Sequence, residues 1–307
     1  MNPPSENFET APFPRLRLSS PGEYRIHAPA KLNFLLHVFP IRPDGFHPLE
    51  SWFVPLAWYD TIFIRPDARL ALEVQGPFTG IPTQVHENLV GRAVCLLAER
   101  AGREARGTVA LHKVIPPGGG LGGGSSDAAA VLVGLNEIWQ LHWSAEQLCD
   151  LAAKLGSDVP FFVVGKSAIC RGRGEHVTPL PFSHPLHAVL LLPPAGISTR
   201  AVYEEFDRRG ASEQAAPDVA ALAALPAPEL NDKLYNHLQG PAFALAPWLA
   251  ALARDAAAVA GQKIHMTGSG STLFTICESY QQSAVLGARL EAVLGARCAV
   301  LTCRVDR

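Results

Sequence analysis

Hydrophobic and polar positions change period several times along the chain, and each change predicts an element. From Glu23 to Val38 the alternation predicts a strand, with Leu32, Phe34, Leu36 and Val38 on one face and Lys31, Asn33 and Leu35 on the other. Pro43-Asp44-Gly45 predicts a reversal into a second strand at about Leu49 to Leu56, and further β runs follow at Thr61–Arg65 and Leu70–Val74. Helical spacing then takes over from His86 to Arg100, where Leu89, Val90, Ala93, Val94 and Leu97 form one stripe. Thr108–Ile115 alternates again and runs into a glycine-rich segment. Beyond it, Ser126 or Asp127 is expected to cap a helix over Ala128–Trp139, and Ser144 a second helix that runs to Leu155 and stops at Gly156.

Two short strands, about Phe161–Cys170 and Glu175–Pro179, lead to a proline-rich break between Pro179 and Pro185. That break sets the expected domain boundary: residues 21–183 as a first domain, residues 184–307 as a second. After it come a strand at His187–Leu192, a helix opened by Ser198-Thr199, and Ala211–Pro228, which has the composition of a variable insertion. Alanine-rich helices run to about Ala260. A strand–Gly-Ser-Gly–strand hairpin spans Lys263–Cys277, a helix covers Ser279–Leu294, and a last strand covers Cys298–Arg304. Strands and helices alternate here as in a small two-layer α/β unit.

Composition narrows the class. The 307 residues are 48% hydrophobic and 18% charged, enough for a sizeable core in one large or two smaller domains. Lysine plus arginine (26) nearly balances aspartate plus glutamate (28), so no global field recruits nucleic acid or an anionic membrane. An anionic substrate has to be held by local donors. Cys95, Cys149, Cys170, Cys277, Cys298 and Cys303 form no C-x-x-C pair and read as buried free thiols of a reducing compartment. Residues 1–20, rich in proline and polar residues, lack the basic and apolar regions of a signal peptide and read as a disordered leader. With no apolar run near the roughly 18 residues of a membrane span, the expectation is a cytoplasmic protein without membrane or nucleic-acid partners.

The chemistry concentrates in Pro116-Pro117-Gly118-Gly119-Gly120-Leu121-Gly122-Gly123-Gly124-Ser125-Ser126-Asp127. Glycines without Cβ atoms let backbone N–H groups converge on an anion, and the helix that follows adds about half a positive charge at its N-terminus. A polyphosphate cradle is the reading. A Walker A loop is excluded because Gly124 runs into Ser125 without a lysine. Gly118, Gly120 and Gly123 formally satisfy the dinucleotide fingerprint, but a second helix follows the first, so no βαβ unit closes. The His-Arg-Asp and Asp-Phe-Gly elements of protein kinases are missing.

The order strand, glycine loop, helix resembles the nucleotide loop of the superfamily of galactokinase, homoserine kinase, mevalonate kinase and phosphomevalonate kinase, the GHMP kinases. Two further stretches narrow the resemblance. Ala28-Pro29-Ala30-Lys31-Leu32-Asn33-Phe34, with Arg42-Pro43-Asp44-Gly45-Phe46-His47 behind it, is similar to the opening motif of the 4-diphosphocytidyl-2-C-methyl-D-erythritol kinase family. Leu155-Gly156-Ser157-Asp158-Val159-Pro160-Phe161-Phe162 is similar to that family's catalytic aspartate motif, and Thr267-Gly268-Ser269-Gly270-Ser271 to the superfamily's third motif. The resemblance runs in order from about Tyr24 to the C-terminus. It implies an α+β, two-domain fold, with a ribosomal protein S5 domain 2-like N-terminal domain and a ferredoxin-like C-terminal one.

It also implies roles. Lys31 and Asp158 match the catalytic positions: Asp158 would take the proton of the substrate hydroxyl, and Lys31 would stabilise that carboxylate and the charge on the reacting oxygens. The loop from Pro116 to Ser126, that is Pro116, Pro117, Gly118, Gly119, Gly120, Leu121, Gly122, Gly123, Gly124, Ser125 and Ser126, would bind ATP. Lys113, either a nucleotide donor or a solvated strand lysine, is counted with it. His47 matches a residue that stacks on and hydrogen-bonds a cytosine, Phe46 stands where the family more often has tyrosine, and Asn33 matches a substrate contact. Phe53 and Tyr203 are candidate walls of the same pocket, or plain core aromatics. Gly268, Ser269 and Gly270 would close against the active site. The family's Asn-Asp-Leu-Glu segment is matched here to Asn231-Asp232-Lys233-Leu234, where the acid is lost.

The implied partners are ATP with magnesium, no protein metal site, and a cytidine diphosphate-linked polyol, in a monomer or weak homodimer. The implied reaction is phosphorylation of a 2-hydroxyl in non-mevalonate isoprenoid biosynthesis. Alternatives are another GHMP-type kinase, a nicotinamide-dependent oxidoreductase, or an inactive binding protein on the same fold.

Overall fold

A computed structural model describes residues 16–210 and 215–306. The chain begins with β1 (Arg17–Ser20), β2 (Glu23–Val38), β3 (Leu49–Arg65) and β4 (Leu70–Gln75). Then come α1 (Leu89–Arg100), β5 (Gly107–His112), α2 (Gly123–Ile138), α3 (Ala145–Ala152) and α4 (Val159–Val164). β6 (Ala168–Gly172), β7 (His176–Pro179) and β8 (Leu186–Leu192) lead to α5 (Thr199–Arg209), α6 (Val219–Ala223) and α7 (Ala227–Lys233). The chain ends with β9 (Tyr235–Asn236), α8 (Gln239–Leu245), α9 (Pro247–Ala260), β10 (His265–Met266), β11 (Leu273–Cys277), α10 (Tyr280–Leu294) and β12 (Ala299–Val305).

The strands form one mixed sheet around the path β1-β2-β3-β12-β8-β11-β10, and β3 also carries β5 and β6. Most pairings are antiparallel; β4 on β5 and β9 on β2 are parallel. The α+β class is as expected. The expected boundary at residues 183 and 184 meets more continuity than the proline-rich break suggests. β12 joins β3 through Val305 and Leu56, and β9 lies along Leu35 and Leu36 of β2. One apolar cluster unites Leu32, Phe34 and Trp52 with Leu190 and Phe274. A second packs α1 to α4 on the sheet, and a third is built from α5, α8, α9 and α10.

Several expectations are corrected. The leader reading covers residues 1–20; its first fifteen lie outside the described residues, but Arg17–Ser20 pairs with β2 across the turn at Gly22, whose φ is +80°. The two strands expected at Leu49–Leu56 and Thr61–Arg65 are one, β3, whose register against β2 jumps from Pro29↔Tyr59 to Lys31↔Pro55. A second irregularity lies between Asn33↔Phe53 and Leu35↔Trp52, so Leu35 leaves the face of Lys31 and packs with Leu32 and Phe34.

The strand expected over Phe161–Cys170 is split: Phe161–Val164 belongs to α4, because a run that is apolar all round has no period to read, and Pro160 in the first turn and left-handed Gly165 at the end bound that helix, while β6 covers only Ala168–Gly172. Residues 211–214 of the expected insertion lie outside the description. The remainder is not loose, since Val219, Ala223 and Ala227 are buried in the shared cluster. The thiols are free, but Cys95 is exposed, and Cys149 and Cys303 are half-buried. Among the described residues no single helix is long and apolar enough to cross a membrane.

Candidate active site

β2 is the spine of the site. Where its register with β3 breaks, its backbone turns to other partners: Lys31 N–H donates to Leu121 O at 3.0 Å, and Asn33 N–H to Thr267 Oγ1 at 3.0 Å. The strand therefore touches the glycine loop and the third motif with consecutive outward donors. Below them, the Lys31 ammonium donates to Asn33 Oδ1 at 2.5 Å, lies 4.8 Å over the Phe53 ring, and faces Asp158 Oδ2 at 3.8 Å. Lys31 is 3% exposed, and burial pulls its pKa down while Asp158 works to raise it. Asp158 stands at the N-terminus of α4 without a capping bond, and its side chain is 34% exposed, open to a substrate. The expected pair is thus brought together at the sheet surface.

The glycine loop passes directly over this pair. Gly122, left-handed at φ +71°, starts α2 with no side-chain cap; a Cβ there would meet the Phe162 ring at 2.8 Å and Lys31 Cγ at 3.1 Å. The helix therefore opens at Gly123, five residues before the expected start, and neither Ser126 nor Asp127 caps it. The consequence is functional. The N–H groups of its first turn have no intrahelical acceptor, and Gly124 and Gly118 lie exposed beside them. Leu121 is only 1% exposed and pins the loop into the core, so it can meet a ligand through its backbone alone. Pro117 is exposed, Pro116 and Ser125 are half-buried, and Ser126 Oγ is buried with no hydrogen-bond partner among the described residues.

The third motif closes the loop from the other side. Thr272 N–H donates to Gly119 O at 3.2 Å, and Thr267 Oγ1 lies 3.3 Å from Gly120 O. Gly268 approaches Lys31, since a Cβ there would lie 3.6 Å from Nζ. Ser269 bonds Thr199 Oγ1 of α5 at 2.7 Å. Gly270 is left-handed, with φ +91°.

Lys113 is neither a solvated lysine nor a free donor. It is 4% exposed, just past the end of β5, and its ammonium is shared by Asp60 and by Asp127 Oδ2, the latter at 2.8 Å. Burial opposes its charge, but the two carboxylates outweigh that and raise its pKa. Burial raises Asp127, against the pull of Lys113 and with the help of Asp60. Asp60 also accepts Val114 and Ile115 N–H. The trio ties β3, the strand exit and α2 together beneath the loop.

On the substrate side, His47 is not free to stack. Its Nδ1 lies 2.8 Å from Phe39 O, its Nε2 3.2 Å from Asp207 Oδ1, and its ring is packed by Tyr203 and Phe206. The open aromatic face is Phe46, 50% exposed, with the Arg173 guanidinium 4.8 Å from its ring centroid. Tyr203 is half-buried, and burial together with the Asp158 charge raises its phenol to about 12. Phe53, 2% exposed, is a core residue beneath Lys31 and against Phe161, not a pocket wall. Asn33, 3% exposed, is spent on Lys31, Ser51 and Thr267, and positions rather than contacts.

Comparison with known proteins fits this geometry. The family model "GHMP kinases N terminal domain" matches residues 88–166, the stretch from α1 through the glycine loop to α4. A 4-diphosphocytidyl-2-C-methyl-D-erythritol kinase of Thermobifida fusca (strain YX) is 38% identical over 287 residues, 90% of this chain and 94% of that protein. One from Rhodococcus jostii (strain RHA1) is 38% identical over 86% of this chain and 87% of its own length. The chain belongs to the 4-diphosphocytidyl-2-C-methyl-D-erythritol kinase family. A crystal structure of a kinase of that name superposes with TM-score 0.74 at 34% identity, covering 92% of this chain and 99% of the other. A homoserine kinase from Cytophaga hutchinsonii, at 16% identity and TM-score 0.66, shares the fold.

Asn231 is buried, holding Lys263 O, Ile276 N–H and Thr275 Oγ1. Asn236-His237-Leu238-Gln239, a few residues on, reaches the third motif: Asn236 Nδ2 donates to Met266 O and Gly268 O at 2.7 Å, and Gln239 accepts from Met266 N–H. Sequence reasoning missed this, although the Asn-x-Leu spacing was available. It also missed Asp60, an acid inside an apolar strand, which is the kind of buried charge that requires a partner. Asp207 carried no signal of its own, and Thr267 only that of opening the third motif.

Proposed function

We infer that the protein transfers the γ-phosphate of ATP to the 2-hydroxyl of 4-diphosphocytidyl-2-C-methyl-D-erythritol, the step its relatives are named for, in non-mevalonate isoprenoid biosynthesis. The observation that carries this reading is Lys31 facing Asp158 directly under the uncapped start of α2. A nucleotide seated with its phosphates at that helix N-terminus presents the γ-phosphoryl group to the Lys31–Asp158 side. The substrate hydroxyl then lies against Asp158, whose carboxylate accepts its proton as the oxygen attacks phosphorus and the bond to the ADP oxygen breaks. Lys31 stabilises the oxygens that carry the charge. Because the transition state of such transfers is loose, placement and charge stabilisation supply most of the rate.

Magnesium fits as the companion of ATP. The buried, unpartnered Ser126 hydroxyl and the half-buried Ser125 beside it are hard oxygen donors in the first turn of α2, the side where the phosphates would sit. When bound, the ion would neutralise phosphate charge. The cytidine would be recognised between the exposed Phe46 and Tyr203, with His47 fixed by Phe39 and Asp207 as the back of the pocket.

The test is coupled ADP release with the cytidine-bearing substrate and with the polyol phosphate lacking cytidine. Turnover is expected only with the first. Equal turnover without cytidine, or none with it, would sink the reading.

A further inference from the structure

A cytidine diphosphate-linked polyol has two ends that the site already locates, the base at Phe46 and the reacting hydroxyl at Asp158. The diphosphate joins them, so it crosses the span between these two residues. The turn between β6 and β7 lies on that span. At one end Arg173 places its guanidinium over Phe46. At the other, Gly174 packs on the residue before Asp158: a Cβ on Gly174 would stand 3.1 Å from Ser157 O. Glu175 folds the turn by accepting Arg173 N–H at 2.5 Å.

The neighbouring cations are committed elsewhere. Arg42 is held by Asp44 at 2.8 Å, Arg171 by Glu50 at 2.7 Å, and Lys31 is buried against Asn33 and Asp158. Among the described residues Arg173 has only a loose ion pair, 3.8 Å to Glu175, and its side chain is 45% exposed. The chain's net charge of −2 offers no general attraction for an anion. A guanidinium stacked on an aromatic ring keeps its N–H edge outward, in the fork that suits phosphate oxygens.

We propose that Arg173 binds the diphosphate of the cytidine-bearing substrate. This rests on the substrate assigned above. It makes Arg173 a specificity residue: it selects the nucleoside diphosphate conjugate over the nucleoside, while ATP is held by the glycine loop.

The experiment compares wild type with Arg173→Gln, Arg173→Lys and, as a surface control, Arg171→Gln. It measures KM for the cytidine substrate and for ATP, together with inhibition by CDP and by cytidine against the cytidine substrate. Arg173→Gln is expected to raise KM for the substrate about tenfold or more, with kcat and KM for ATP retained. It should weaken CDP but not cytidine. Arg173→Lys, which keeps the charge and loses the fork, should fall between, and Arg171→Gln should match wild type.

An unchanged KM in Arg173→Gln, or CDP and cytidine weakened alike, would overturn the assignment. Absence of turnover in the wild type would overturn the kinase reading instead, and direct binding of CDP and cytidine to the same variants would still decide the role of Arg173. Melting curves of each variant establish that it is folded.

Discussion

Lys31 and Asp158 face each other across 3.8 Å, one sealed beneath the glycine loop and the other one-third open to solvent. The asymmetry divides the labour. On the proposed mechanism the buried ammonium, held by Asn33, would place its positive charge beside the reacting oxygens, while the partly open carboxylate would receive the hydroxyl. A general base contributes about 10²–10⁴-fold. Asp158→Asn, which keeps shape and removes the acceptor charge, is therefore expected to lower kcat at least about a hundredfold. ATP binding by calorimetry should persist. Activity close to that of wild type would remove Asp158 from the role of base.

The contact between the glycine loop and the third motif is closer than side chains allow. A Cβ on Gly120 would stand 2.2 Å from Thr267 O, whereas one on Gly118 meets nothing within 4 Å. Both residues are left-handed, so both pay the conformational strain of a side chain, roughly 1–2 kcal/mol. Gly118→Ala should lose about that much in urea unfolding and keep its affinity for ATP. Gly120→Ala has to push the two motifs apart, so it should lose clearly more stability and also raise KM for ATP. Equal losses in the two variants would mean that the loop and the motif do not act as one rigid cradle.

The Asp60–Lys113–Asp127 trio carries a different expectation. Removing the shared cation leaves two carboxylates buried face to face, and breaking a buried ion pair costs about 3–5 kcal/mol. Lys113→Met is expected to lose stability on that scale. Lys113→Met combined with Asp127→Asn should recover part of it, because one of the stranded charges is gone. A lysine that served only the nucleotide would show little stability loss and no recovery.

How much of this could be read from the sequence depends on what each residue answers to. The limits of β2, the cap Ser144, the helix starts near Ser198 and Ser279, and the meeting of Lys31, Asp158 and the glycine loop were legible, because each rests on local pattern or on contiguous motif. Asp127 was misread as a cap. A carboxylate three residues past a glycine run looks like one until Lys113, fourteen residues earlier, is found to own it. His47 was read as a base contact, but Asp207, on a helix 160 residues later, holds its outer nitrogen. Phe161–Val164 reads as the start of a strand because a uniformly apolar run has no period, yet it lies in α4. The bulge at Phe34–Leu35 was invisible because it answers to Thr267 and β9 on the far edge of β2, not to its own neighbours. In each case the deciding partner is distant in sequence and chosen by tertiary packing.

The second half of the chain also contains a pH dependence that is separate from catalysis. His265, 5% exposed at the start of the last hairpin, has Nε2 2.9 Å from Asn231 O, and burial lowers its pKa from 6.5 to about 4. In the unfolded chain the imidazole takes a proton near pH 6.5; in the folded protein it resists until near pH 4. The neutral ring is therefore the form the fold favours, and its contribution is complete above pH 6.5. It is lost as the pH falls through that window, because the unfolded state then binds the extra proton. The loss amounts to about 3 kcal/mol by pH 4, at 1.36 kcal/mol per pKa unit. Urea unfolding of wild type and His265→Gln between pH 7.5 and 4 measures it, with glutamine able to keep the bond to Asn231 O. Wild type should lose about 3 kcal/mol more than His265→Gln as the pH drops, and parallel curves would show that His265 does not carry the acid sensitivity.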